Sequence, residues 1–136
     1  MRLVIGTNVF VSMVIRPGYL ADAIIERIDR GAIVLYSAET LSELIEVLGR
    51  RKFARYTTKE DVAAFVGWFA DAGELVTITR ELQASADPKD DKFLSLAVSG
   101  RADAIISGDK RHLISLGSIE GIPIISPADF IAQTGN

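Results

Sequence analysis

The chain has 136 residues, 49% hydrophobic and 24% charged, with 15 Lys and Arg against 18 Asp and Glu for a net charge of −3. That size and balance describe one globular domain with its own core, and they exclude a disordered chain and a strongly basic nucleic-acid binder. Cysteine is absent, which excludes disulfides, iron–sulfur clusters and thiolate zinc sites. The opening apolar run is too short for a signal peptide or a membrane span, so the expectation is a cytoplasmic protein with no membrane partner.

Strand-like and helix-like segments alternate along the whole chain, with no repeat and no linker, so residues 1–136 read as a single domain. Leu3-Val4-Ile5 is a short strand that stops at Gly6. Tyr19 to Arg30 carries Leu20, Ile24, Ile25 and Ile28 at helical spacing and ends at Gly31. Ile33 to Tyr36 is a second strand. A helix opening near Ser37 follows, with Leu41, Leu44, Ile45 and Leu48 as its apolar stripe and Thr40 and Glu43 spaced as a capping box. Thr57 or Thr58 caps the next helix, which turns Val62, Phe65, Val66 and Phe69 inward and stops at Gly73.

Leu75 to Ile78 reads as a third strand. Asp87-Pro88 opens a helix, as N-cap and first helical residue, that runs to Gly100. Ala104-Ile105-Ile106 is a buried strand, and Lys110 to Leu116 a short helix. Ile122 to Ile125 is a last strand, placed at an edge because Pro123 cannot donate to a ladder. Ser126-Pro127 caps a terminal helix. The fold class is therefore α/β, an open, mainly parallel sheet of about five strands flanked by helices. Ligands of such sheets bind beyond the carboxyl ends of the strands, near the switch point.

Acidic residues gather where that rule points. Asp109 follows an apolar strand directly, Asp90 and Asp91 open a helix, and Glu43 lies about one and a half turns into another. Crowded carboxylates repel one another unless a cation neutralises them. Hard oxygen donors favour Mg²⁺ or Mn²⁺, which activate water and stabilise the charge that builds on a cleaved phosphodiester. His112, the only histidine, stands outside this expected ligand set, and no serine or cysteine triad or glycine-rich phosphate loop is present. Cations cluster at Arg50, Arg51, Lys52 and Arg55, again at Lys110 and Arg111, and at Arg16 in the turn after the first strand. They are candidates to line an RNA path.

Together these segments resemble the PIN-domain family, in particular the toxin ribonucleases of VapC-like toxin–antitoxin systems. Val4-Ile5-Gly6-Thr7-Asn8-Val9-Phe10-Val11-Ser12 resembles its first-strand motif, a hydrophobic pair followed by Asp-Thr-Asn-Val. Ser42-Glu43-Leu44 falls at its second acid. Asp87-Pro88-Lys89-Asp90-Asp91-Lys92-Phe93-Leu94, followed by Ala97, resembles its third, with Asp91 as the acid. Ile105-Ile106-Ser107-Gly108-Asp109-Lys110 resembles its fourth.

The resemblance implies a Rossmann-like fold, RNA cleavage with Mg²⁺ or Mn²⁺, a homodimer and a cognate antitoxin. Carried over, Glu43, Asp91 and Asp109 hold the metal and act in catalysis, with Asp90 assisting. Thr7, Asn8 and Ser107 support them. Asp90 lies about 100° from Asp91 around a helix, so the two need not share a direction. The family's first acid falls on Gly6, which offers no ligand. The site is then disabled in a toxin that is hard to produce when active, or degenerate and kept for binding, or weaker but working. Phe65, Trp68 and Phe69 give one helix more aromatic bulk than one stripe needs, which suits a dimer or antitoxin surface.

A non-catalytic interaction module is the competing class. A receiver or dehalogenase-like phosphatase also fits the sheet, but it needs an acid just after the first strand, where Gly6-Thr7-Asn8 supplies none.

Overall fold

The computed structural model describes residues 1–16, 18–85, 87–109 and 111–134. In chain order the regular elements are β1 (Arg2–Ile5), α1 (Thr7–Ile15), α2 (Tyr19–Asp29), β2 (Ile33–Tyr36), α3 (Ala38–Leu48) and α4 (Lys59–Ala72). There follow β3 (Glu74–Leu75), α5 (Asp91–Ser99), β4 (Ala104–Ile106), β5 (Ser118–Ile119), β6 (Ile122–Ile125) and α6 (Pro127–Thr134). Short 3₁₀ turns occupy Arg51–Phe53, Pro88–Asp90 and Ile114–Leu116.

The strands form one sheet in the order β3-β2-β1-β4-β6-β5. Every pairing is parallel except the two-residue β5 against β6. From β1 the chain steps outward to β2 and β3, then crosses back and continues through β4 and β6 on the other side. The switch point therefore lies between β1 and β4, where Gly6 N–H donates to the Ile106 carbonyl at 2.8 Å.

Successive strand residues alternate between two covered faces, which is why the strands read as unbroken apolar runs. Leu3, Ile5, Val34, Tyr36 and Ile106 pack with Phe10, Ile24, Leu44, Phe69 and Phe130 of the helices on one face. Val4, Leu35, Ile105 and Ile124 pack with Phe93, Leu94 and Ala97 of α5 on the other. In register, Val4 lies opposite both Leu35 and Ile105. Each of the fully buried Val, Leu, Ile and Phe side chains among these stabilises the fold by roughly 1.5–3 kcal/mol.

Several expectations are corrected. Thr7–Ile15 is a helix that the sequence pattern does not signal. Its run of Val, Phe, Met and Ile is apolar on nearly every side, so no stripe shows, and burial between the sheet and its neighbours overrides the β-preference of those residues. Arg16 is accordingly the C-cap of α1, its N–H on the Ser12 carbonyl at 2.9 Å, and not part of a turn after the strand. The third strand is Glu74–Leu75, not Leu75 to Ile78, because the chain beyond it follows α5. β6 is not an edge: its Pro123 faces Ser118 of the short β5, which takes that position.

The capping box opens α3 at Ser37 and Thr40, not at Thr40 and Glu43. The described part of the segment expected as a 110–116 helix is a turn followed by the 3₁₀ piece Ile114–Leu116. On α4 only Phe69 is fully buried, with Val62, Phe65 and Val66 half-buried. Thr58 does cap α4, accepting from Asp61 N–H at 3.0 Å. At the other end of α4 a Cβ on Gly73 would lie 2.7 Å from the Val34 carbonyl, so only glycine allows that close approach.

Candidate metal centre

Beyond the carboxyl ends of β1 and β4 opens a cavity of about 320 Å³. Gly6, Thr7, Asn8, Glu43, Asp87, Asp90, Ser107 and Asp109 line it, with Arg50, Lys52 and Lys89 also on its wall. Strand ends deliver Gly6 and Ser107 directly, and the start of α1 delivers Thr7 and Asn8. Glu43 reaches in from α3, and Asp87 and Asp90 come from the 3₁₀ turn before α5.

Asp109 is held on both sides. Its Oδ1 accepts the backbone N–H groups of Arg111 at 3.1 Å and His112 at 3.0 Å, and its own N–H donates to Ser107 Oγ at 2.9 Å. Its Oδ2 lies 3.3 Å from His112 Nδ1, which is in turn 3.7 Å from Asp90 Oδ2. That Asp90 oxygen is buried and has no hydrogen-bond partner among the described residues. Burial first, then the neighbouring Asp109 and Asp87 carboxylates, pushes the Asp90 carboxyl up to about 7, with the His112 ring acting the other way. Burial also disfavours the Asp109 anion, but the His112 N–H, Asp90 and the His112 ring outweigh it and hold Asp109 below the ordinary carboxylate range. Close carboxylates resist ionising together: of this pair, Asp90 is the one whose ionisation is hindered and Asp109 the one whose ionisation is favoured.

A buried carboxylate oxygen without a hydrogen-bond partner among the described residues, crowded by a second carboxylate, is a donor that a cation would satisfy. Asp87, Asp90 and His112 each offer one donor atom, all within 4.8 Å of one another. Two carboxylates and one imidazole are donors for a divalent cation, so the residues present fit such an ion.

The structure separates residues that the sequence grouped. Asp90, not Asp91, faces the cavity. Asp91 looks to the other side of α5, where its Oδ1 accepts Ser85 N–H at 2.8 Å and Ala84 N–H at 3.1 Å. Glu43 lines the cavity but is already engaged, with Thr7 Oγ1 donating to its Oε2 and Lys92 Nζ 2.7 Å from its Oε1. Asp87, read only as a helix cap, and His112, set outside the ligand set, are both in the donor cluster. Asp87 does cap, its Oδ1 accepting Lys89 N–H at 3.0 Å, and its second oxygen remains for the cavity. The position of His112 three residues after Asp109 at a strand end was the signal available for it.

Arg50 lines the cavity while paired with Glu46 at 2.9 Å, and Lys52 and Lys89 join it there. Arg16, Arg51 and Arg111 are not among the residues that line this cavity. Lys110 lies outside the described residues.

Gly6 has φ −66° and ψ 151°, an ordinary extended conformation. A Cβ there would meet the Ile106 carbonyl at 3.5 Å and Ser107 Oγ at 3.7 Å, normal contact distances. Nothing in the backbone requires glycine at this point, and a side chain would project from the end of β1 beside the acids.

No single helix among the described residues is long and apolar enough to cross a membrane. Residues 2–111 match the PIN domain family, whose members are generally metal-dependent nucleases. An uncharacterized protein of Methanocaldococcus jannaschii is 30% identical over 117 residues, 85% of this chain and 74% of that protein. The fold is similar to a chain in the crystal structure of VapBC2 from Rickettsia felis bound to a DNA fragment from their promoter. The TM-score is 0.65 at 14% identity, over 93% of this chain and 98% of that one. With the family matched across most of its length and the fold alike over nearly all of it, the chain belongs to the PIN domain family.

Proposed function

We propose that this chain is a Mg²⁺- or Mn²⁺-dependent endoribonuclease of the toxin–antitoxin type, with its first site acid replaced by Gly6. One observation carries the reading: Asp90 and Asp109 line one cavity at the β1–β4 switch point, close enough to perturb each other's ionisation, beside a glycine whose backbone does not need to be glycine. Asp90, Asp109, Asp87 and His112 would hold the ion, with Asp90 in the place the sequence reading gave to Asp91. When bound, the ion supplies a water of lowered pKa and charge neutralisation at the phosphodiester.

The chain's own residues do the rest. Burial and Asp109 hinder ionisation of Asp90, so a cation bound there would displace its proton. Arg111 and His112 N–H groups aim Asp109, and Ser107 Oγ fixes the turn that carries it. Thr7 and Lys92 hold Glu43 at the wall, available as a further acid once Lys92 is displaced. The positive end of α1 at Thr7 and the cations Arg50, Lys52 and Lys89 favour a phosphate in the cavity.

The experiment is Gly6→Asp. Short synthetic RNA should be cut with Mn²⁺ by the variant and little or not at all by the present chain. If the variant gains neither metal binding nor cleavage, the chain is an interaction module that kept the fold without the chemistry. The engagement of Glu43 by Lys92 supports that second reading.

RNA contact is tested separately. Arg50→Ala with Arg51→Ala should weaken RNA binding and reduce the slope of log K against log salt by about 1–2. An unchanged slope would remove both cations from the RNA path.

An antitoxin partner and a homodimer belong to the same reading. Trp68 on α4 is 38% exposed and lies against the half-buried Phe65, 5.9 Å between ring centroids, so one ring of the pair faces outward from the domain. Trp68→Ser should shift the protein toward monomer in light scattering or abolish capture of its antitoxin. If neither changes, this face is ordinary surface.

A further inference from the structure

Asp91 opens a ladder. Asp91, Ser95 and Ser99 recur every fourth residue of α5 and so share one helix face. Each accepts backbone N–H groups from the extended segment that precedes the site. Ser99 Oγ takes Thr79 at 3.0 Å and Arg80 at 3.3 Å, Ser95 Oγ takes Leu82 at 2.8 Å, and Asp91 Oδ1 takes Ala84 and Ser85. The spacing matches physically, since four helical residues rise about 6 Å and two extended residues span about 6.6 Å. Val76, Ile78 and Leu82 seal the segment to the core beneath.

The last rung is the one beside the metal centre. Asp91 fixes Ser85, and the Ser85 hydroxyl accepts Asp87 N–H at 3.3 Å and donates to the His112 carbonyl at 3.5 Å. Asp87 then sets the 3₁₀ turn, its carbonyl accepting Asp90 N–H at 2.9 Å. All three donors of the cluster therefore connect through Ser85 to one carboxylate oxygen that does not itself enter the cavity.

We infer that Asp91 is a positioning residue: without touching the ion, it holds Asp87, Asp90 and His112 at the spacing a divalent cation requires. The inference rests on the metal-centre reading, and it makes Asp91 and its neighbour Asp90 distinguishable by chemistry. A ligand needs its charge. A latch needs only an acceptor oxygen, which asparagine keeps.

The test compares the present chain with Asp91→Asn, Asp91→Ala and Ser95→Ala. Mn²⁺ binding is followed by electron paramagnetic resonance of the free ion, and backbone amide exchange is followed without metal. Asp91→Ala should weaken Mn²⁺ binding by roughly tenfold or more, the scale seen when a residue behind a ligand is removed. It should also speed exchange at Lys89 and Asp90, two amides that Asp91 does not bond. Asp91→Asn should stay within about twofold of the parent in both, and Ser95→Ala should lower thermal stability with Mn²⁺ affinity kept. If Asp91→Ala does not fold, Asp91→Ser replaces it, since the shorter hydroxyl still suits a helix start but falls short of the amides.

Equal loss in Asp91→Asn and Asp91→Ala would overturn the inference and make Asp91 a ligand. Unchanged affinity and exchange in Asp91→Ala would overturn it in favour of a purely architectural rung. Should the parent bind no Mn²⁺ at all, the same variants are compared in the Gly6→Asp background; absence of binding there too fails the metal-centre reading, and exchange at Lys89 and Asp90 still decides whether Asp91 positions the turn.

Discussion

Gly6→Asp should raise Mn²⁺ affinity at least tenfold, about 1.4 kcal/mol, and raise RNA cleavage by roughly 10² or more, the scale of one preorganised charged group in a site. The backbone at Gly6 already has the φ and ψ of an ordinary residue, and a Cβ meets nothing closer than 3.5 Å. The new carboxylate would stand at the end of β1, across from Ser107 and near Asp109. It would also occupy the N-cap of α1, where Asp is favoured over Gly by a few tenths of a kcal/mol.

Without metal, a further negative charge beside Asp90 and Asp109 offsets that gain. The signature is therefore a melting temperature nearly unchanged in chelator and clearly raised by Mn²⁺, with the present chain responding much less. Calorimetric titration gives the affinity, and single-turnover cleavage of a fluorescent RNA gives the rate. A variant that folds normally but binds Mn²⁺ no better than its parent would remove the idea of a missing first acid.

Asp90→Asn has the second large effect, and it acts in opposite directions with and without metal. The Asp90 carboxyl titrates near 7 in the folded protein, whereas an unfolded aspartate titrates near about 3.9. Between those values the folded state holds the proton that the unfolded state has lost. Stability therefore falls as pH rises through this window, and the full cost of the buried charge is present above about 7. Asn carries no charge, so the variant should match the parent near pH 4 and exceed it by on the order of 2 kcal/mol at pH 8.

The other acid of the pair does not confuse this window. Asp109 lies below the ordinary range, so its contribution is present above that range and lost only at lower pH. Urea unfolding of both proteins at pH 4.5, 6 and 8 measures the trend. A stability difference that does not grow with pH would mean that Asp90 is not the protonated member of the pair. With Mn²⁺ present the sign reverses: Asp90→Asn removes a ligand, and binding should fall by about 10² or more, whereas parent affinity should climb with pH through 7 as the proton becomes easier to displace.

Taken together, the predictions divide two neighbouring aspartates. Asp90→Asn should stabilise the metal-free fold above neutral pH and cut binding by about 10² or more, while Asp91→Asn should do little to either. Sequence resemblance alone assigned the acid to Asp91, one residue away. On a helix one residue is a turn of about 100°, enough to move a carboxylate from the cavity beyond β1 and β4 to the far side of α5. The same limit explains Glu43. Its place on α3 was readable, but its engagement by Lys92, 49 positions away in sequence, was not.

What the chain determines locally is the scaffold of the site. Apolar runs that end in Gly6 and in Ser107-Gly108-Asp109 set two strand ends, and alternation with helices makes the sheet parallel, so the crevice beyond those ends follows from the order of elements alone. The absence of an acid at Gly6 is likewise a property of the sequence and needs no coordinates. Only the tertiary structure decides which carboxylates converge, because that depends on helix rotation and on partners distant in sequence. It brings Asp87 and His112 to Asp90, leaves Asp90 Oδ2 buried without a hydrogen-bond partner among the described residues, and gives Asp91 to the Ser85 backbone. It also makes a helix of Thr7–Ile15, whose residues favour strands, because burial against the sheet outweighs a local preference of under about 1 kcal/mol per residue.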